Sequence, residues 1–152
     1  MRRKEREITR REEIEEILRR APFMFLGVVD AGEHYVVPLN FGFAENALYF
    51  HTATEGRLLS ALKANPRVCF TVAVDTEPIP GQSACNWSFR YRSVIGYGHA
   101  AILEDDAARR KGLDAVMSKF TPGPYEYAGK ALLKTVVVEI GIESLTGKKL
   151  GQ

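Results

Sequence analysis

The sequence predicts a mainly β fold, a mostly antiparallel barrel with helices on its outside. Three observations lead there. The apolar runs "PFMFLGVVD", "HYVVPLNFGF" and "ALYFHT" follow one another across the short turns "AGE" and "AEN". Strands joined so tightly cannot all be parallel, because parallel neighbours need long crossovers. Stretches with helical period are few and stand between or outside the strand-like runs. Finally, a chain of 152 residues that is 45% hydrophobic and 26% charged is ordinary for one globular domain, here 1–152.

Each element has its own signal. In "ITRREEIEEILRRA", Thr9 reads as a helix cap with Glu12 as its capping-box partner, and Ile14, Ile17, Leu18 and Ala21 form an apolar stripe. Mixed charge on the other faces reads as a solvated surface. The next two runs are strands. Pro38 interrupts the second and cannot donate to a ladder, so an edge or bulge is expected there. After "ALYFHT" comes the helix "EGRLLSALKAN", closed by Asn65 and Pro66, and then the strand "RVCFTVAVD". Thr76 to Ser88 has no clear period and reads as a loop. In the long strand "WSFRYRSVIGYGHAAIL", Trp87, Phe89, Tyr91, Ser93 and Ile95 alternate with Ser88, Arg90, Arg92 and Val94. The helix "EDDAARRKGLDAVMSKF", the loop "TPGPYEYAGKA" and the strand "KTVVVEIGIESLTGKK" complete the chain.

Several classes of function recede on composition. A net charge of +2 is too weak to argue for a nucleic-acid partner. Cys69, in "VCFTV", reads as a small core residue, and Cys85 lies in a polar loop; neither has metal-ligand spacing. The charged N-terminal stretch has no signal-like apolar core, and no apolar run is long enough to span a bilayer. A cytoplasmic protein is the simplest reading.

The stretch "HTATEGRLL" raises a chemical question. Thr54 sits where a cap belongs, yet Arg57 stands in the first turn of the following helix, facing the positive end of its dipole. An anion at the helix start removes the conflict. Free amides there bind phosphate, Gly56 lets a ligand approach the backbone, Thr52 and Thr54 add hydroxyls, and Arg57 adds a charged hydrogen bond. The bland alternative is equally open at this point: Thr54 caps, and Arg57 reaches solvent or pairs with Glu55. The connection between "VVPLNF" and "YFHT" is short enough to make them neighbouring strands. Asn40 and His51 end otherwise apolar runs there, and a planar heterocycle could lie along the edge that Pro38 frees.

The ordered set "VVPLNFGF", "ALYFHTATEGRLLSALKANPRVCF", "CNWSFRYRSVIGYGHA" and terminal "LTGKK" resembles the pyridoxamine 5′-phosphate oxidase-related FMN-binding proteins, and within them the nitroimidazole-resistance (Nim-type) branch. The resemblance covers nearly the whole chain. It implies a split β-barrel homodimer with one FMN at each subunit interface. By resemblance, Pro38, Leu39, Asn40 and Phe41 border the flavin ring; His51, Thr52 and Ala53 follow the ribityl chain and phosphate; Gly56 and Arg57 hold the phosphate; and Trp87, Arg92 and Ser93 present the face of the long strand. Relatives often carry a second basic residue after this arginine, where Leu58 stands here, and the ending "TGKKLGQ" lacks the basic substrate segment of true pyridoxamine phosphate oxidases. Vitamin B6 oxidation is therefore discounted.

The expected function is a flavin-dependent oxidoreductase acting on a small electron-poor acceptor, with His51 either a proton donor or substrate contact near the ring or an ordinary strand-end histidine with a structural role. A non-catalytic flavin module for storage, electron transfer or sensing is the alternative, as is the same barrel binding haem or a deazaflavin. Exposed aromatics at Trp87, Phe89 and Tyr91 imply a second copy of the chain as partner.

Overall fold

The computed structural model describes residues 3–151. Among them the strands are β1 (Glu7–Ile8), β2 (Met24–Asp30), β3 (Glu33–Leu39), β4 (Gly42–Ala44), β5 (Ala47–Thr52), β6 (Arg67–Ile79), β7 (Ser88–Leu103) and β8 (Val136–Leu150). The α-helices are α1 (Arg11–Arg20), α2 (Arg57–Ala64), α3 (Asp106–Met117) and α4 (Gly129–Leu133). Each strand pair is antiparallel, in the spatial order β3-β2-β6-β7-β8-β5-β4, with β1 also on β8. The fold is the mainly β, mostly antiparallel split barrel with peripheral helices that the sequence predicts.

The connectivity explains the barrel. β3 and β4 lie at opposite ends of the strand order, yet residues 40 and 41 alone separate them in the chain. The sheet must therefore curl until its two ends meet, and Asn40 and Phe41 lie at the seam. This corrects the pairing expected from "VVPLNF" and "YFHT". β3 is an edge strand paired only with β2, and it is β4 that pairs β5. Two hairpin turns keep the strands in register. Ala31 and Gly32 have φ of 50° and 88°, and Glu45 and Asn46 have φ of 49° and 63°. Such turns match the twist of antiparallel ribbons. Pro38 pairs Phe25 on the edge strand β3, where its missing donor costs the sheet little.

Alternation fills the interior. Val68, Phe70, Val72 and Val74 of β6 point in and join Met24, Leu26, Phe41, Phe50, Val138 and Ile140, with Ile14, Ile17 and Leu18 of α1 packed against them. Cys69 falls on the opposite parity and is exposed, so it is not the core residue that its apolar neighbours suggested. Among the described residues, both cysteines are free.

Other boundaries also shift. Arg10, not Thr9, is the N-cap of α1, and no side chain caps it, because the pairing of Glu7 and Ile8 with β8 carries the chain past the position that a Thr9 cap needs. Thr76 to Ile79 are strand rather than loop. Asp75 adopts φ of 55° at a bulge between Val74 and Glu77, and β6 then continues beside β7. α4 occupies part of the stretch read as a loop, and β8 begins at Val136. α3 starts as its acidic first turn suggests, with Asp105 accepting from the Ala108 amide at 2.9 Å. A Cβ at Gly42 would overlap the backbone of Ala115, so glycine there lets α3 press directly onto β4. No described helix is long and apolar enough to cross a membrane.

Candidate functional site

The chain leaves β5 at Thr52 and enters α2 at Arg57. Gly56, not Thr54, is the N-cap; its φ of 127° is a conformation that favours glycine, and no side chain caps the helix. A Cβ placed on Gly56 would have no heavy atom within 4 Å, so the approach to this helix start is open. Arg57 does not pair with Glu55. Its Nε donates to Asp30 Oδ2 at 2.6 Å, and its guanidinium carbon lies 4.3 Å from the centroid of the Tyr35 ring. Asp30 ends β2 and Tyr35 lies in β3, so the hairpin supplies both contacts. Neither partner is signalled in the sequence: Asp30 reads as a residue before a turn, Tyr35 as an ordinary strand aromatic. Leu58 is buried in the barrel core and brings no second charge.

Asn40 and His51 are not on paired strands, but the curl of the sheet brings them together. Both line one cavity of about 340 Å³. Its other walls come from Leu113, Val116 and Met117 of α3, from Phe120, Glu126, Tyr127 and Ala128 of the following loop, and from Leu132 and Thr135. The helical side is stapled in place. The Arg109 guanidinium donates to the carbonyl of Thr135 at 2.9 Å and also to that of Leu132. The Tyr127 hydroxyl donates to Asp114 Oδ1 at 2.7 Å; burial, then this bond, pushes its pKa up. The cavity is thus largely apolar, with a titratable imidazole, an amide and a carboxyl on its rim.

The remaining predicted residues divide. Pro38 and Leu39 end β3 beside the seam. Phe41 is fully buried, and Lys119 Nζ sits 3.4 Å from its ring centroid, so its side chain belongs to the core. The same ammonium donates to the carbonyls of Leu18, at 3.3 Å, and Ala21; burial pushes the Lys119 pKa down to about 8. Thr52 is half-buried and Ala53 exposed between the cavity and the helix start. Trp87 is exposed just before β7, and Ser93 lines an outer-face groove with Ile95, Thr146 and Lys148. Arg92 does not share that face. Its side chain is only 11% exposed, with Nε donating to Asp75 at 2.7 Å and Nη1 3.3 Å from Glu16. Successive strand residues point to opposite faces, so Arg92 ties α1 to the bulge of β6 instead.

Residues 10–149 match the family model described as pyridoxamine 5′-phosphate oxidase. The chain belongs to this family. Solved structures agree with the assignment. A candidate 5-nitroimidazole antibiotic resistance protein from Bacteroides thetaiotaomicron is 31% identical, with a TM-score of 0.84 over 93% of this chain and 85% of that one. The FAD- and haem-binding protein from Mycobacterium smegmatis is 26% identical, with a TM-score of 0.86 over 97% and 74%. The flavocytochrome Anf3 from Azotobacter vinelandii is 25% identical, with a TM-score of 0.84 over 96% and 70%. No curated protein matches the chain. In this member of the pyridoxamine 5′-phosphate oxidase family, the cavity at the seam and the open start of α2 are joined by the short run from His51 to Arg57.

Proposed function

We propose that the protein is an FMN-binding oxidoreductase that delivers electrons to a small, electron-poor acceptor of the nitroimidazole type. The observation that carries this reading is the convergence of Asn40 and His51 on one apolar cavity, six residues upstream of Arg57 in the case of His51. The residues fit a phosphorylated flavin: Gly56 leaves the helix start open, α2 has no side-chain cap, and Arg57 supplies a cation. When bound, FMN supplies the redox chemistry. Gly56, Arg57 and Thr52 would hold its phosphate, and Pro38, Leu39 and Asn40 would border its ring. Leu113, Val116, Met117 and Leu132 give the cavity an apolar wall, and exposed His51 at its edge would hold a proton for the acceptor.

A homodimer suits the outer face of the sheet. Phe25, Ile95, Tyr97 and Val36 are exposed there at 44–60% although they lie on central strands or beside them, and Trp87 and Phe89 are exposed at 58%. Apolar surface of that extent favours association. Titration of the apo-protein with FMN should quench free-flavin fluorescence, and the reduced complex should consume a nitroimidazole under anaerobic conditions. Unchanged flavin fluorescence would refute the cofactor; binding without consumption would leave the non-catalytic flavin module.

A second reading has support of its own. His51 and Met117 both line the cavity, and histidine and methionine are ligand types for haem iron; two of the similar structures are named for haem or a flavocytochrome. The visible spectrum of the purified protein separates flavin bands from a haem Soret band.

A further inference from the structure

We infer that Asp30 and Tyr35 are positioning residues for phosphate capture, holding the Arg57 guanidinium so that only its two terminal nitrogens face the ligand. The inference rests on the FMN reading above and adds two residues to it.

An arginine can grip an oxyanion side-on, through Nε and one terminal nitrogen, or end-on, through both terminal nitrogens. Here Nε is committed to Asp30 Oδ2 at 2.6 Å, which closes the side-on mode. Among the described residues, neither terminal nitrogen makes a hydrogen bond. The guanidinium carbon lies over the Tyr35 ring at 4.3 Å, so the ring restricts the fork from one side while Asp30 holds Nε. Arg57 directly follows Gly56, whose open surroundings leave space for an incoming phosphate.

A purely structural role is a poor account of these contacts. The Arg57 side chain is 53% exposed and Asp30 29%, and an exposed ion pair contributes little to stability. A long side chain held in one rotamer beforehand loses less freedom when it binds. The carboxylate therefore acts before the ligand arrives, by removing the unproductive arrangements of Arg57. The single basic residue of this cradle, with Leu58 where a second cation could stand, makes that orientation matter more.

Calorimetric titration of apo-protein with FMN and with riboflavin tests this, using wild type, Asp30→Ala, Asp30→Asn, Tyr35→Phe, Tyr35→Leu, Arg57→Ala and the Asp30→Ala/Arg57→Ala double variant. Asp30→Ala and Tyr35→Leu should each weaken FMN about threefold to tenfold. Asp30→Asn, which still accepts from Nε, and Tyr35→Phe, which keeps the ring, should restore most of the loss. Riboflavin should bind every variant alike, and Asp30→Ala should have no further effect once Arg57 is alanine. Tighter FMN binding by Asp30→Ala would mean that the carboxylate competes with phosphate, and would overturn the inference. So would an equal loss for riboflavin, or a loss that persists in the double variant. If Arg57→Ala weakens FMN but Asp30→Ala does not, the positioning role fails and the cofactor reading stands. If Arg57→Ala binds FMN as wild type does, both fail. Apo melting curves for each variant report whether it folds.

Discussion

Lys119 offers the sharpest test of how the seam is held. Its ammonium lies on the ring of buried Phe41 and donates to the carbonyls of Leu18 and Ala21, at the end of α1. One side chain thus joins the C-terminal end of α3, the α1 terminus and the residue beside Asn40. Burial pushes its pKa from 10.5 down to about 8. Between those values the unfolded chain holds a proton on Lys119 that the folded chain releases, so stability rises as pH rises through this window. Taken whole, the shift would correspond to roughly 3 kcal/mol, at about 1.4 kcal/mol per pH unit, but Lys119 is only half-buried and solvent screening reduces that. Two carbonyls and an aromatic face stabilise the charged form, which opposes burial and favours a value of about 1–2 kcal/mol. Lys119→Met keeps the bulk, removes the titration and leaves the two carbonyls without this donor. The stability of wild type minus that of Lys119→Met should therefore increase by about 1–2 kcal/mol between pH 7 and pH 10. Urea unfolding of both apo-proteins at the two pH values measures it. The subtraction matters, because Tyr49 titrates higher than usual, at about 12, chiefly through burial, and lowers stability at the alkaline end in both proteins alike. Parallel stability curves would refute the reasoning.

Three further outcomes are expected. Asp75 is held below the ordinary carboxylate range, first by its hydrogen bond from Arg20 and also by one from Arg92; its stabilising effect is present above the unfolded pKa of 3.8 and lost as pH falls below it, so Asp75→Asn should flatten the acid limb of the stability curve, and an unchanged limb in acid titrations followed by circular dichroism would count against the network. Gly42→Ala drives a methyl into the backbone of Ala115 and should destabilise the fold by about 2 kcal/mol or more, read as a lowered melting temperature; a melting point equal to wild type would mean that α3 does not press on β4. His51→Ala should slow acceptor reduction about tenfold or more while changing FMN affinity little; equal turnover in single-turnover kinetics would make His51 a strand-end histidine only.

Local chemistry made most of the elements legible. The turns at Ala31-Gly32 and Glu45-Asn46, the stripe of Ile14, Ile17 and Leu18, and the alternation along β6 and β7 all depend on neighbours a few residues away. The ordered motifs likewise pointed to the family, to the neighbourhood of Asn40 and His51, and to Arg57 in a first helical turn. What no local pattern contains is which strand lies beside which. Alternation separates two faces of a strand, but it cannot say which faces inward when both are apolar, as with Phe70 against Cys69 or Val94 against Ile95. The partner of Arg57 lies 27 residues away on a hairpin, and Arg92 is bound by Glu16, 76 residues distant. Such contacts exist only after a seven-strand path has curled and joined β3 to β4 at Asn40 and Phe41. The cavity is a product of that closure, since its walls come from β5, the seam, α3 and α4, none of which can enclose a volume alone.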